Sequence, residues 1–149
     1  MKIENSPSSL IDEYTSYQSI KSVRKALIDS GYSWQIFEDS KLPDNDRRPP
    51  FNIFTILVKN YKSIDHSGEL RLTFFNNRLM STWFYPVDLN GYLLSLKSKK
   101  NIDLSGSDEV KFSTFTSVWK HEDFENRMYV GWVDTRLRDE SNRWISKYS

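Results

Sequence analysis

The two residue types most often used as bases, thiol nucleophiles and transition-metal ligands are scarce in this 149-residue chain, which has two histidines and no cysteine, although serine is abundant. The missing thiols remove zinc–thiolate sites, iron–sulfur clusters, cysteine nucleophiles and redox switches from its chemistry. His66 falls in the turn-forming stretch Asp65-His66-Ser67-Gly68, and His121 stands beside Glu122 and Asp123. A His-Glu-Asp run could hold a divalent ion or take a proton, but such a site needs ligands that converge from separate elements. A polar surface turn has the same composition. The carboxylate pairs Asp12/Glu13, Glu122/Asp123 and Asp139/Glu140 are sequence neighbours, which leaves them solvated rather than facing one another. The five glycines form neither a phosphate-cradling loop nor a Gly-x-Ser-x-Gly elbow. No catalytic residue, metal ligand or cofactor is expected. The enzymatic alternative is a small histidine/carboxylate site, using His66 or His121, in a cleft under the 38–52 loop.

Binding is the stronger theme. A single alanine, Ala26, stands against 22 aromatic residues (5 Trp, 8 Tyr, 9 Phe), a bias that favours sheet. Trp34, Phe75, Phe84, Trp119 and Trp132 exceed what one sheet face can hide under three or four short helices, and protein interfaces draw on Trp, Tyr and Arg anchors. These rings, with the loop containing Arg47-Arg48-Pro49-Pro50, are the expected partner-binding residues. The partner is another protein, of the kind a toxin or an enzyme represents, and a homodimer is also compatible. Charge gives nucleic acid no global attraction: 21 Lys+Arg face 20 Asp+Glu, a formal charge of +1. A single-stranded nucleic-acid binder would have to rely on Arg47, Arg48, Lys97, Lys99 and Lys100 beside aromatic strands, and the RNP-type strand motif is missing. No stretch reaches the roughly 18–20 apolar residues of a membrane span, and the first nine residues hold no apolar signal core. A cytoplasmic protein without a membrane contact is expected.

The positioning elements follow from pattern. Pro7-Ser8-Ser9 reads as a helix start, with Asp12 near the positive dipole end, and the apolar spacing of Leu10, Tyr14 and Tyr17 against Ile20, Val23 and Leu27 predicts a break near 15–19. Gly31 suits a left-handed helix end, with Tyr32 as its apolar contact. A short strand over 32–36 precedes a long Pro- and Asp-rich loop over 38–52, and a strand follows over 51–62. The clearest signal is Leu70 to Phe75, the pair Asn76-Asn77, then Arg78 to Tyr85: a β-hairpin with a two-residue primed turn. That register sets Phe74 opposite Leu79 and sends Leu70, Leu72, Phe74, Leu79 and Trp83 to the core, with Phe75, Met80 and Phe84 on the opposite face. A helix over 88–98, strands over 109–119 and 128–133 joined by the polar turn 120–126, and a last helix capped by Asp134 or Thr135 complete the chain. Hairpin-joined strands set apart from helices imply one α+β domain over 1–149: a two-layer sandwich with a mainly antiparallel sheet of four to five strands and N-terminal, middle and C-terminal helices. A chain of this length can bury a sufficient core without disulfides.

The short N-terminal helices followed by a hairpin reading Leu72-Thr73-Phe74-Phe75-Asn76-Asn77-Arg78-Leu79 give residues 9–85 a resemblance to the helix–helix–sheet modules of the β-lactamase-inhibitor-protein-like and small outer-membrane assembly lipoprotein families. The chain departs from them in lacking a lipoprotein signal and its cysteine, and in carrying an additional β-β-α segment. The resemblance implies a noncatalytic protein binder that works through a sheet face, as an inhibitor, an immunity protein or an assembly factor, and it transfers no individual binding residue.

Overall fold

A computed structural model describes residues 6–149; the reading of Met1–Asn5 as lacking a signal core lies outside the described residues. The fold is α+β, as expected, with three helices and seven strands among the described residues: α1 (Ile20–Asp29), β1 (Gln35–Lys41), β2 (Asn52–Ser63), β3 (His66–Phe75), β4 (Arg78–Pro86), α2 (Leu89–Lys100), β5 (Glu109–Lys111), β6 (Thr116–Glu122), β7 (Met128–Asp134) and α3 (Thr135–Tyr148). The sheet is larger than the four to five strands expected. The run read as one strand over 109–119 doubles back at residues 112–115 to make two, and β1 continues to Lys41 through polar residues that carry no strand signal.

All seven strands are antiparallel neighbours in the order β1-β2-β3-β4-β7-β6-β5. The first four form a meander. Helix α2 then carries the chain to the far edge, and β5, β6 and β7 return until β7 closes against β4. The hairpin turn is as predicted, with Asn76 at φ 50° and Asn77 at φ 61°, the left-handed pair a primed turn needs.

The helix ends follow their sequence signals. Gly31 takes φ 82°, and the amides of Gly31 and Tyr32 donate to the carbonyls of Ile28 and Leu27, the pair of hydrogen bonds that closes a glycine-terminated helix. Asp88 caps α2, accepting from the Gly91 amide at 3.0 Å, and Asp134 caps α3. The helix expected to start at Pro7-Ser8-Ser9 does not form. Asp12 and Tyr17 have positive φ, and the Ser8 amide donates instead to the Ser16 hydroxyl; serine and aspartate side chains compete with helical hydrogen bonding in this way. The break near 15–19 is where α1 begins, capped by Ser19.

One face of the sheet is roofed. Cross-strand partners Ile56, Leu72, Thr82, Trp132 and Val118 form a row across five strands, and their face packs with Val23 and Leu27 of α1 and Tyr92 and Leu96 of α2 in one core. A bulge decides which hairpin rings join it. Thr73 pairs with Ser81 but Phe74 pairs with Leu79, so Met80 is an extra residue in β4 and every later side chain changes sides. Phe84 therefore lies in the core, wholly buried, and Trp83 points to the other face, the reverse of the sequence expectation for both.

Candidate functional site

The second face is built from the row Leu57, Arg71, Trp83, Gly131 and Trp119, flanked by Thr55, Thr73, Ser81 and Val133 on one side and by Glu69 and Tyr85 on the other. It is sheltered at one end. Phe75 is buried under Phe51, whose ring lies 5.3 Å away and 4.4 Å from Trp144 of α3, and Arg78 pairs with Glu140 of the same helix. Between strand β1 and the β6–β7 turn Phe37 and Phe124 are exposed, while Thr55, Leu57, Ser81 and Tyr85 are themselves buried. A cavity of about 500 Å³ opens there, floored by Thr55, Thr73, Ser81 and Trp83 and walled by Phe37, Met80 and Phe124. Phe37 is the unpaired residue of a second irregularity, between Ile36 and Glu38 in the β1–β2 register, which explains how an edge-strand ring comes to lie over this face.

The aromatic floor is held rigidly. Trp83 stacks on Tyr129 with ring centres 4.1 Å apart and planes 14° from parallel, and Trp119 donates its indole N–H to the Tyr129 hydroxyl at 3.2 Å. Gly131 makes room for this, because a Cβ there would stand 2.4 Å from Cζ2 of Trp119. Guanidinium groups then lie against the rings: Arg71 is 4.3 Å from the centre of Phe37 and 4.8 Å from that of Tyr85, and Arg127 is 4.3 Å from Tyr85. Glu69 balances both cations, at 2.8 Å from Arg71 and 3.7 Å from Arg127.

Asp123 fixes the far wall. Its carboxylate accepts from the amides of Glu125 at 2.8 Å and Arg127 at 3.0 Å, and from the Tyr85 hydroxyl at 3.0 Å. The Arg127 amide first, with the other donors, holds the Asp123 carboxyl below the usual aspartate range against a partial desolvation. Burial and the hydrogen bond to Asp123 push the Tyr85 hydroxyl well above its ordinary value. The turn so tied presents Phe124 fully exposed at the rim of the cavity.

The residues expected to bind a partner are dispersed by this architecture. Trp119 belongs to the open face, at the edge away from the cavity. Phe84 and Trp132 lie in the roofed core and Phe75 is sealed by Phe51, so none of these three offers surface. Trp34 is half-buried on the helix side with the Arg24 guanidinium 4.6 Å from its ring. Arg48 is tied down, bonded to Asp46 at 2.7 Å and to the Tyr148 carbonyl at 3.1 Å, while Trp144 donates to the Pro49 carbonyl. The 38–52 stretch is thus part strand and part strap across α3, with Arg47 exposed upon it. Phe37, Trp83 and Phe124 are the rings sequence reading missed: the first two depend on bulges, and the third sits in a turn with no apolar pattern.

Neither histidine reaches that loop. His66 opens β3 at the end opposite Phe75, with Nε2 2.9 Å from the Ser95 hydroxyl, and the exposed His121 bonds the Glu122 carbonyl. Among the described residues no cluster of three or more His, Asp or Glu is arranged to hold a metal, and no helix is long and apolar enough to cross a membrane. Lys97 and Lys99 stand 3.5 and 3.8 Å from Asp103 and Asp65, which offsets their charge. Neither a protein-family model nor a curated protein matches the chain.

Proposed function

We propose that this chain is a noncatalytic protein-binding domain that works in the cytoplasm and engages its partner through the open face of the sheet, in the manner of an inhibitor, an immunity protein or an assembly factor. The observation that carries this reading is the aromatic cavity between Phe37 and Phe124, where rings stay accessible beside a rigid, hydrogen-bonded floor. Preorganised rings lose little conformational entropy on binding and so make effective anchors.

Quantitative affinity capture from native lysate tests it with three baits: the unaltered chain, Phe124→Ser, and Leu94→Ser. Leu94 is an exposed leucine on α2, so the last variant removes apolar surface from the helix side. The expected result is a protein retained by the unaltered chain and by Leu94→Ser and depleted at least tenfold by Phe124→Ser. Equal capture by all three baits contradicts the reading.

A further inference from the structure

The charges around the cavity identify what it accepts. Its lining holds the carboxylates of Glu38, Asp123 and Glu125 and a single cation, Arg71. Arg71 is already balanced by Glu69, and Asp123 is occupied by Tyr85 and its own turn. Glu38 and Glu125 make no ion pair with any described residue; Glu38 accepts only from the Ser40 hydroxyl at 3.0 Å. Two carboxylates without a cationic partner therefore stand on opposite walls of an aromatic hollow, one on β1 and one on the β6–β7 turn.

We propose that this cavity receives a cationic side chain, arginine or lysine, from the partner protein. The inference rests on the reading that the open face binds a protein, and it names the chemistry of the anchor. A long basic side chain can lay its methylene stem along Phe37, Trp83 and Phe124 and carry its charge to the carboxylates at the rim. The face already accommodates such groups, since the chain's own Arg71 and Arg127 lie on Phe37 and Tyr85. An acidic anchor would meet the net negative rim, and a purely apolar one would leave Glu38 and Glu125 partly desolvated without a partner.

Titration of the isotope-labelled full chain with three blocked tripeptides, acetyl-Gly-Arg-Gly-amide, acetyl-Gly-Leu-Gly-amide and acetyl-Gly-Glu-Gly-amide, tests the assignment by NMR. The arginine peptide is expected to shift the amides of Phe37, Glu38 and Phe124 saturably, with an affinity about fivefold above that of the leucine peptide, the factor an exposed ion pair with the rim carboxylates supplies at most. The double variant Glu38→Gln/Glu125→Gln should erase that advantage while leaving the leucine peptide unaffected, and high salt should weaken the arginine peptide alone. A leucine or glutamate peptide that binds as well as the arginine peptide overturns the proposal, and so does an arginine peptide that moves none of these amides. Each of those results can coexist with selective loss of a captured protein by Phe124→Ser, so failure of the cationic anchor is distinguishable from failure of the docking face.

Discussion

The two faces of the sheet carry aromatic rings in comparable variety and use them differently. On the roofed face Phe84 packs edge to face with Tyr61 and Tyr92 with Trp132, and the polar ends turn inward: the Tyr61 hydroxyl donates to Asp12 at 2.5 Å, and Ser63 links Asp12 to the Tyr92 hydroxyl. On the open face, rings of the same types are dressed with Arg71 and Arg127, and their polar ends tie down a loop through Asp123. Ring chemistry alone does not separate core from surface. What separates them is the placing of carboxylates beside the rings: Asp12 is enclosed and hydrogen-bonded by Tyr61 and Ser63, whereas Glu38 and Glu125 are exposed and make no ion pair with a described residue.

This contrast is broken or sharpened most strongly by paired truncations. Phe84→Ala should cost about 3–5 kcal/mol, the usual price of emptying a ring site in a close-packed core, whereas Trp83→Ala should cost about 1–2 kcal/mol because a half-exposed ring forfeits little more than its stacking partner. Urea denaturation measures both, and equal losses would mean that the faces are energetically alike. Gly131→Ala comes next. Its methyl group would collide with the Trp119 indole, and an overpacking loss of about 1–3 kcal/mol is expected, together with a change in tryptophan fluorescence as the ring leaves Tyr129.

The smallest effect concerns two aspartates whose carboxyls are shifted in opposite directions from the ordinary value. Burial first raises the Asp12 carboxyl above its ordinary value, outweighing its bonds from Tyr61 and Ser63, while Asp123 is lowered. With an unfolded aspartate value of about 3.9, the Asp123 contribution is complete above that pH and is lost as the pH falls through its depressed folded value. The Asp12 contribution runs the other way, complete below about pH 3.9 and lost as the pH rises through its elevated folded value. Carboxyl carbon shifts followed by NMR should show the two midpoints on either side of the ordinary range. Coincident midpoints would erase the distinction between the enclosed carboxyl and the loop-organising one.

How much of this was legible in the residues depended on where each signal sat. The Asn76-Asn77 hairpin, the Gly31 helix end and the Asp88 cap follow from local chemistry, and for α3 that chemistry narrows the cap to Asp134 or Thr135, of which the structure uses Asp134. Parity was not. A single extra residue at Met80 exchanges the roles of Trp83 and Phe84, and nothing in Arg78-Leu79-Met80-Ser81 announces a bulge, because the pattern fits either register. The missing first helix was hidden for a related reason: Ser8, Asp12 and Ser16 find partners far along the chain, Thr116, Tyr61 and Asp134 among them, and those contacts override a local capping pattern. The site's walls, Phe37 at a strand irregularity and Phe124 in an acidic turn, come together only through the tertiary arrangement of β1 and the β6–β7 turn across the three intervening strands β2, β3 and β4.

Site-specific photo-crosslinking tests the central claim most directly. A benzophenone side chain at position 124, at the rim of the cavity, and another at position 94, on the helix side, are compared in cells that express the chain. The open-face account predicts a discrete crosslinked protein from position 124 that is missing from position 94. The same products from both positions, or none from position 124, would contradict it.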